Sequence, residues 1–397
     1  MGVYTPANKL ENLKLYKYSS EDHSYVSKYI LKRYWNWFTT LFPLSMAPNL
    51  ITLLGLVFII VSVLLVLYYD PYLDTPSPSW VYFVHAFNLF MYQTFDGCDG
   101  CHARRTGQSG PLGELFDHSI DAINTTLLIV VSSSVFQFGL GLKTLFAQFS
   151  VLANFYTSTW ETYHTHTLFL SCFSGPVEGM ILLVFCYALS GFIGPDIWSA
   201  HLFDLDLSSL GFGLSTYAID VSHLIIGFGF IGIYFNVAAA TANVAKKYFT
   251  NVRLSRETAE QEVANAKEGL LPFAAYYVFL SFFLWSFPDV ASTYCYPLIF
   301  STGSTMAFCV GRIILAHLTL QDFPFFQVPT LVPILQTFLA HYFITLNGYR
   351  PSVVLPAVVW GGTGLTVGIH TMFISEIIVE ITQFLDIYAL TIKHKKI

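Results

Sequence analysis

Four aspartates, Asp96, Asp99, Asp117 and Asp121, fall in one short run of a chain whose charged residues make up only 11% of the total. Their spacing is helical on both sides of a break. At about 100° per residue, Asp96, Asp99, Gly100, Ala103 and Arg104 share one broad helix face. After "RTGQSGPL", residues 105–112, Gly113, Asp117 and Asp121 follow at i, i+4 and i+8 and stack along one stripe. Gly107, Gly110 and Pro111 mark a turn between the two helices, so the two acidic faces can converge. Gly100, Ala103 and Gly113 keep the groove between them narrow, which lets backbone approach a ligand.

Carboxylates gathered in a low-dielectric setting repel one another unless a cation neutralises them. Hard oxygen donors select Mg²⁺, with Mn²⁺ as a substitute, and four shared carboxylates suit two ions about 4 Å apart. Two such ions clamp a phosphoryl or pyrophosphate group, and Arg104 adds a planar fork for phosphate oxygens. His118 lies beside Asp117 and about 60° round the helix from Asp121. Its ordinary pKa near neutrality makes it a better proton acceptor than a carboxylate bound to cations, with Asp121 second. Glu161, in "TWETYH", is expected to hold the imidazolium that forms on His118, whereas His164 and His166 read as structural histidines at a membrane edge. A lone aspartate near a helix end is usually a cap. Four acids in register with small residues and an arginine across one turn call for more than capping.

The elements that position these residues follow from composition. With 54% hydrophobic and 17% aromatic residues and a mean hydropathy of +0.56, the chain is a membrane protein. Apolar stretches long enough to cross a hydrocarbon core of about 30 Å recur ten times. They cover 48–69, 79–100, 113–137, 144–168, 177–194, 217–243, 270–287, 290–314, 327–346 and 354–379. Backbone amides find no partners in lipid, and runs this continuously apolar exclude alternating barrel strands, so the fold class is all-α, a polytopic helical bundle. With both termini cytosolic, this topology puts 17 of the 19 Lys and Arg on the cytosolic side and leaves Lys143 and Arg350 across the membrane, as the positive-inside rule requires.

"HSYVSKYILKRYWNWFTTLF", residues 23–42, mixes Lys and Arg with Trp and Tyr and predicts an interfacial amphipathic helix. The first 45 residues show no short apolar core of a cleavable signal peptide. The chain divides into a cytosolic segment 1–46, a six-span catalytic domain 47–245, a charged cytosolic loop 246–268, and four spans with a tail, 269–397. Asn124-Thr-Thr is a glycosylation acceptor in form only, since it falls on the cytosolic side. Cys98 and Cys101 form a C-x-x-C without a second ligand pair, and with Cys172, Cys186, Cys295 and Cys309 they read as small hydrophobes. Glu178, Arg312, Glu376 and Glu380 are ionisable groups in or near spans; the last three are expected to pair helices and Glu178 to border the site. Lys393, Lys395 and Lys396 fit either a retrieval signal of endoplasmic reticulum membrane proteins or plain positive-inside charge.

The run Asp96-x-x-Asp99-Gly100-x-x-Ala103-Arg104, then Gly113-x-x-x-Asp117-x-x-x-Asp121, resembles the signature of the CDP-alcohol phosphotransferases without departure. "APNLITLLG", "GPLGELFDHSIDA", "WETYHTHTL", "GPVEG", "GLLPF" and "LDIYALTIKH" extend the resemblance to the fungal choline/ethanolamine phosphotransferase branch along essentially the whole chain. The resemblance implies a ten-span, Mg²⁺-dependent homodimer of the endoplasmic reticulum and Golgi, surrounded by membrane lipids. Its implied reaction transfers phosphoethanolamine or phosphocholine from CDP-ethanolamine or CDP-choline to diacylglycerol, with release of CMP. By the same resemblance Asp96, Asp99, Asp117 and Asp121 hold two metals on the pyrophosphate, Asn49 and Arg104 contact the nucleotide or its phosphates, and Gly100, Ala103 and Gly113 surround the cytidine. His118, following the third aspartate, is the proton acceptor that the branch implies.

Other function classes fit less well. A cation transporter would carry repeated broken helices near the midplane, whereas these acids cluster once, near one face. A scaffold needs no metal-ligand register, and no nucleic-acid partner is expected. A sister phosphotransferase using inositol or serine stays open, because the signature reads the CDP half and leaves the alcohol free. Choline and ethanolamine differ by three methyl groups, and among 37 Phe, 24 Tyr and 7 Trp no aromatic cage stands out.

Overall fold

A computed structural model describes residues 2–17, 19–22, 24–170, 175–206 and 216–393. Cys172 and the terminal Lys395 and Lys396 lie outside the described residues. Short helical pieces open the chain, α1 (Ala7–Leu10) and α2 (Lys32–Phe38), followed by the long helices α3 (Pro48–Tyr69), α4 (Ser79–Thr106), α5 (Pro111–Val135), α6 (Leu142–Thr165) and α7 (Pro176–Ile193). A short α8 (Asp196–Ser199) precedes α9 (Val221–Phe249), α10 (Arg256–Glu268), α11 (Leu271–Ser286), α12 (Val290–Thr293), α13 (Cys295–Thr319), α14 (Val332–His341) and α15 (Pro351–Leu385). Two small strand pairs complete the described fold: β1 (Ser20–Asp22) runs parallel to β2 (Leu168–Leu170), and β3 (His201–Asp206) antiparallel to β4 (Thr216–Asp220).

The long helices follow the predicted apolar stretches. Among the described residues six helices are long and apolar enough to cross a membrane: 48–69, 221–249, 256–286, 295–319, 328–346 and 351–385, and Val177–Ile193 is a shorter apolar helix. Helices α4, α5 and α6, which carry Asp96, Asp99 and Arg104, Asp117 and Asp121, and Lys143 and Glu161 respectively, are not among those six. The protein is a multi-pass helical membrane protein.

Several helix boundaries shift by a few residues from the sequence expectation, and two assignments change in kind. The sixth stretch begins as strand β4 and turns helical only at Val221, because the Asp220 side chain accepts the backbone N–H of His223 at 3.3 Å and caps α9. The charged loop 246–268 is mostly helix: α9 runs on to Phe249 and α10 starts behind the N-cap Ser255.

The predicted interfacial segment is helical over 27–41, as a π turn, α2 and a 3₁₀ turn. One face presents Tyr29, Ile30, Trp37 and Leu41 outward, while Leu31 and Trp35 pack on Cys98 of α4. Gly97 permits this approach, since a Cβ there would collide with the Trp35 indole. Arg105 clamps the segment's end by donating to the carbonyls of Thr39 at 2.8 Å and Phe42 at 3.2 Å.

Helix α13 is the most buried span and packs against α5, α6 and α15, so the C-terminal spans brace the helices that bear the acids. Arg312 on α13 and Glu376 on α15, expected to pair helices, instead pin the chain start. Arg312 donates to the Tyr4 carbonyl at 3.2 Å and lies over the Tyr4 ring at 5.1 Å, and Glu376 accepts the Val3 N–H. At the other end Thr391 bridges to Met46, which lays the tail beside the start of α3.

Candidate active site

The turn between α4 and α5 sets the site. Gly107 ends α4 with φ 65°, a left-handed conformation that suits glycine, and the Gln108 N–H bonds back to the Ala103 carbonyl at 2.8 Å. Pro111 then starts α5 at its first turn, where a missing N–H costs nothing. The two helices turn back on each other within residues 107–110, and the acidic faces meet as the spacing predicted.

Asp96, Asp99 and Asp117 each bring a carboxylate oxygen within 4.8 Å of the others, and Asp117, His118 and Asp121 form a second group on the same criterion. Asp117 belongs to both. These clusters can hold metal ions, and the donor set is hard oxygen with one imidazole. One orphaned atom supports that fit: Asp117 Oδ1 is buried without a hydrogen-bond partner. Among the described residues no lysine or arginine pairs with any of the four aspartates. His118 Nδ1 lies 3.7 Å from Asp117 Oδ2, beyond hydrogen-bond length.

Two hydroxyls that sequence reasoning missed reach the cluster. Thr52 of α3 donates to Asp99 Oδ2, and Tyr92 of α4 donates to Asp121 Oδ1; both donors are buried. Helical spacing carried a faint signal for each, since Thr52 is three residues after Asn49 and Tyr92 four before Asp96.

Asn49, at the start of α3, donates to the Ala389 carbonyl of the tail at 3.0 Å. Its Oδ1 would be 3.9 Å from a Cβ placed on Gly113, which otherwise meets nothing, so Gly113 leaves a cradle that a side chain would fill. A Cβ on Gly100 would meet Arg104 Nη1 at 3.5 Å, and the exposed Arg104 makes its other contact to Cys101 Sγ at 3.3 Å. Arg104 therefore stands over the small-residue face with its guanidinium otherwise uncommitted among the described residues. Ala103 is half-buried on the same helix turn.

Glu161 is elsewhere employed. Its Oε1 accepts from Asn243 Nδ2 of α9 at 2.7 Å, and no bond of the described residues joins it to His118. The carboxylate that shares a small cleft with His118 is Glu114, four residues earlier on α5, together with Thr162, His166 and His317. Tyr16 from the N-terminal segment donates to Glu114 Oε2 at 2.7 Å. On α6 it is Thr162, the neighbour of Glu161, that lines the cleft with His118. His164 behaves as a structural histidine, bonded to the Tyr248 hydroxyl at 3.1 Å and packed on Trp160 and Tyr163. His166 and His317 face each other with their Nδ1 atoms 3.1 Å apart. Cys98 and Cys101 are free thiols, Cys98 buried against the Trp35 carbonyl.

Comparison with known proteins follows the same residues. A family model described as CDP-alcohol phosphatidyltransferase matches residues 45–201, which include all four aspartates. The chain is 46% identical over its full length to choline/ethanolaminephosphotransferase 1 of Saccharomyces cerevisiae, covering 100% of both chains. It is 47% identical to cholinephosphotransferase 1 of the same yeast, again over 100% of both. Choline/ethanolaminephosphotransferase 1 of Arabidopsis thaliana is 33% identical over 99% of each chain.

Proposed function

The chain belongs to the CDP-alcohol phosphatidyltransferase family, and from that premise we propose that it transfers phosphoethanolamine, phosphocholine or both from the CDP-alcohol to diacylglycerol, releasing CMP. The observation that carries this reading is the meeting of Asp96, Asp99, Asp117 and Asp121 across one turn, with Asp117 common to two ligand groups.

Asp96, Asp99, Asp117 and Asp121 would hold two Mg²⁺ ions, or Mn²⁺ in their place, which supply charge neutralisation for the pyrophosphate and for CMP as it leaves. Arg104 offers its fork to phosphate oxygens at the edge of the cluster. Asn49 and the small residues Gly100, Ala103 and Gly113 bound the space for cytidine. His118 takes the proton of the diacylglycerol hydroxyl, on a ring whose Nδ1 has no hydrogen-bond partner. The hydroxyl oxygen then bonds to the β-phosphorus in line with the breaking bond to the CMP oxygen.

The reading extends to the cell. Both termini and the site face the cytosol of an endoplasmic reticulum or Golgi membrane, the partner is a second copy of the chain through the four C-terminal spans, and diacylglycerol arrives sideways from the bilayer. The distribution of Lys and Arg supports this orientation.

The test is phospholipid synthesis by the purified protein in detergent with diacylglycerol and Mg²⁺, comparing CDP-ethanolamine with CDP-choline. Product from either donor, abolished by chelation and reduced about 10²–10⁴-fold in His118→Ala, is the expected result. Product at a near-normal rate from His118→Ala would move the base to Asp121. Absence of product from both donors would point to a sister enzyme with another alcohol.

A further inference from the structure

We propose that Thr52 and Tyr92 are positioning residues that aim the metal-binding carboxylates, Thr52 for the Asp96–Asp99–Asp117 group and Tyr92 for the Asp117–His118–Asp121 group. This rests on the reading of the aspartates as a metal centre.

The argument starts from what the carboxylates lack. None of the four has a cationic partner among the described residues, yet two of them each accept a hydrogen bond from a buried hydroxyl: Asp99 Oδ2 from Thr52 and Asp121 Oδ1 from Tyr92. Thr52 also lies 3.4 Å from the Pro48 carbonyl one turn back, so its proton has two acceptors, and the carboxylate is the nearer. Tyr92 is 2% exposed and has no other hydrogen-bond partner among the described residues, so its phenol is committed to Asp121. A hydroxyl on one carboxylate oxygen fixes the carboxylate's rotation and leaves the second oxygen for an ion. Ligating carboxylates generally carry such outer partners, and losing one typically weakens metal binding about 10–100-fold.

The two donors come from different places. Thr52 arrives from α3, across the helix interface, and Tyr92 from α4, the helix that also supplies Asp96 and Asp99 but not Asp121. Each hydroxyl therefore ties a ligand to a helix that does not bear it. The ligand groups share Asp117 but not their hydroxyls, so each hydroxyl acts on its own group.

The test is a titration of the purified full-length protein in detergent with Mn²⁺ alone, without nucleotide, reading free Mn²⁺ by its electron paramagnetic resonance signal. Tyr92→Phe and Thr52→Val are each expected to raise the Mn²⁺ dissociation constant about 10–100-fold, while Thr52→Ser, which restores the hydroxyl, stays near wild type. In activity assays the losses of both variants are expected to shrink as Mn²⁺ is raised, which a merely misfolded variant would not do. An unchanged dissociation constant in either variant overturns the role for that hydroxyl, and a Thr52→Ser protein as weak as Thr52→Val assigns the effect to packing and overturns the role for Thr52. Should Thr52→Val fail to fold, Thr52→Ser and the near-isosteric Tyr92→Phe carry the test. Wild-type protein that binds no Mn²⁺ overturns the metal reading itself, an outcome distinct from variants that bind as wild type does.

Discussion

Two groups of aspartates in this protein are treated in opposite ways. Asp220, at the head of α9, has both oxygens engaged: Lys143 donates to Oδ2 at 2.6 Å, and Oδ1 accepts from Ser222 and from the His223 N–H. Asp70, after α3, is likewise closed, with Oδ1 accepting the N–H groups of Asp74 at 3.1 Å and Thr75 at 2.9 Å and Oδ2 the Ser134 hydroxyl at 2.6 Å. The four aspartates between α4 and α5 sit close to one another, and among the described residues two of them have hydroxyl partners and Asp117 keeps an unpartnered oxygen. A buried carboxylate that serves structure has its charge answered by the chain. One that serves chemistry is left for something else to answer.

The sharpest way to break the comparison is Asp117→Asn, because Asp117 belongs to both ligand groups. It is expected to cut phosphotransfer by about 10²–10³-fold or more, measured as kcat with either CDP-alcohol. In metal-free protein the same change is expected to raise the thermal midpoint by a few degrees, roughly 1 kcal/mol, because it removes a repelling charge. Loss of activity together with a fall in metal-free stability would make Asp117 a structural acid like Asp220.

Lys143→Met probes the opposite case. It strips Asp220 of its cation while leaving Ser222 and His223, and is expected to cost about 1–3 kcal/mol of stability, read in the denaturation midpoint, with kcat of the folded fraction unchanged. A drop in kcat at equal folding would break the division between the two groups.

The smallest effect is expected at Asp70, where burial holds the carboxyl above its ordinary value. The folded state then keeps that proton more readily than the unfolded chain, so the stability this group contributes is present below the unfolded carboxylate pKa and is lost as pH rises through the folded value. Asp70→Asn keeps the acceptor for the Asp74 and Thr75 amides. It is expected to flatten the acid limb of the stability profile and to change neutral-pH stability by about 1 kcal/mol or less. A steeper acid limb in the variant would show that the charge is favoured in the fold.

Much of this was legible in the chain. The i, i+4, i+8 spacing of Gly113, Asp117 and Asp121, the turn at Gly107 and Pro111, and the apolar stretches are local properties, and local periodicity survives folding unchanged. Asn49 beside Gly113 was legible only through resemblance, since 64 residues separate them. What escaped was contact between helices. Glu161 and Thr162 are neighbours in sequence, but on a helix they point about 100° apart, and only the packing of α6 on α5 decides which faces His118. Thr52 and Tyr92 look like ordinary residues of apolar spans until the arrangement of α3, α4 and α5 gives each a carboxylate. By itself the sequence determined a helical membrane protein with four acids in register at one turn, because composition and periodicity act within a helix. Tertiary structure alone decided which carboxylates are answered by hydroxyls, which by a lysine and which keep an unpartnered oxygen among the described residues, because those partners meet only where separate helices pack.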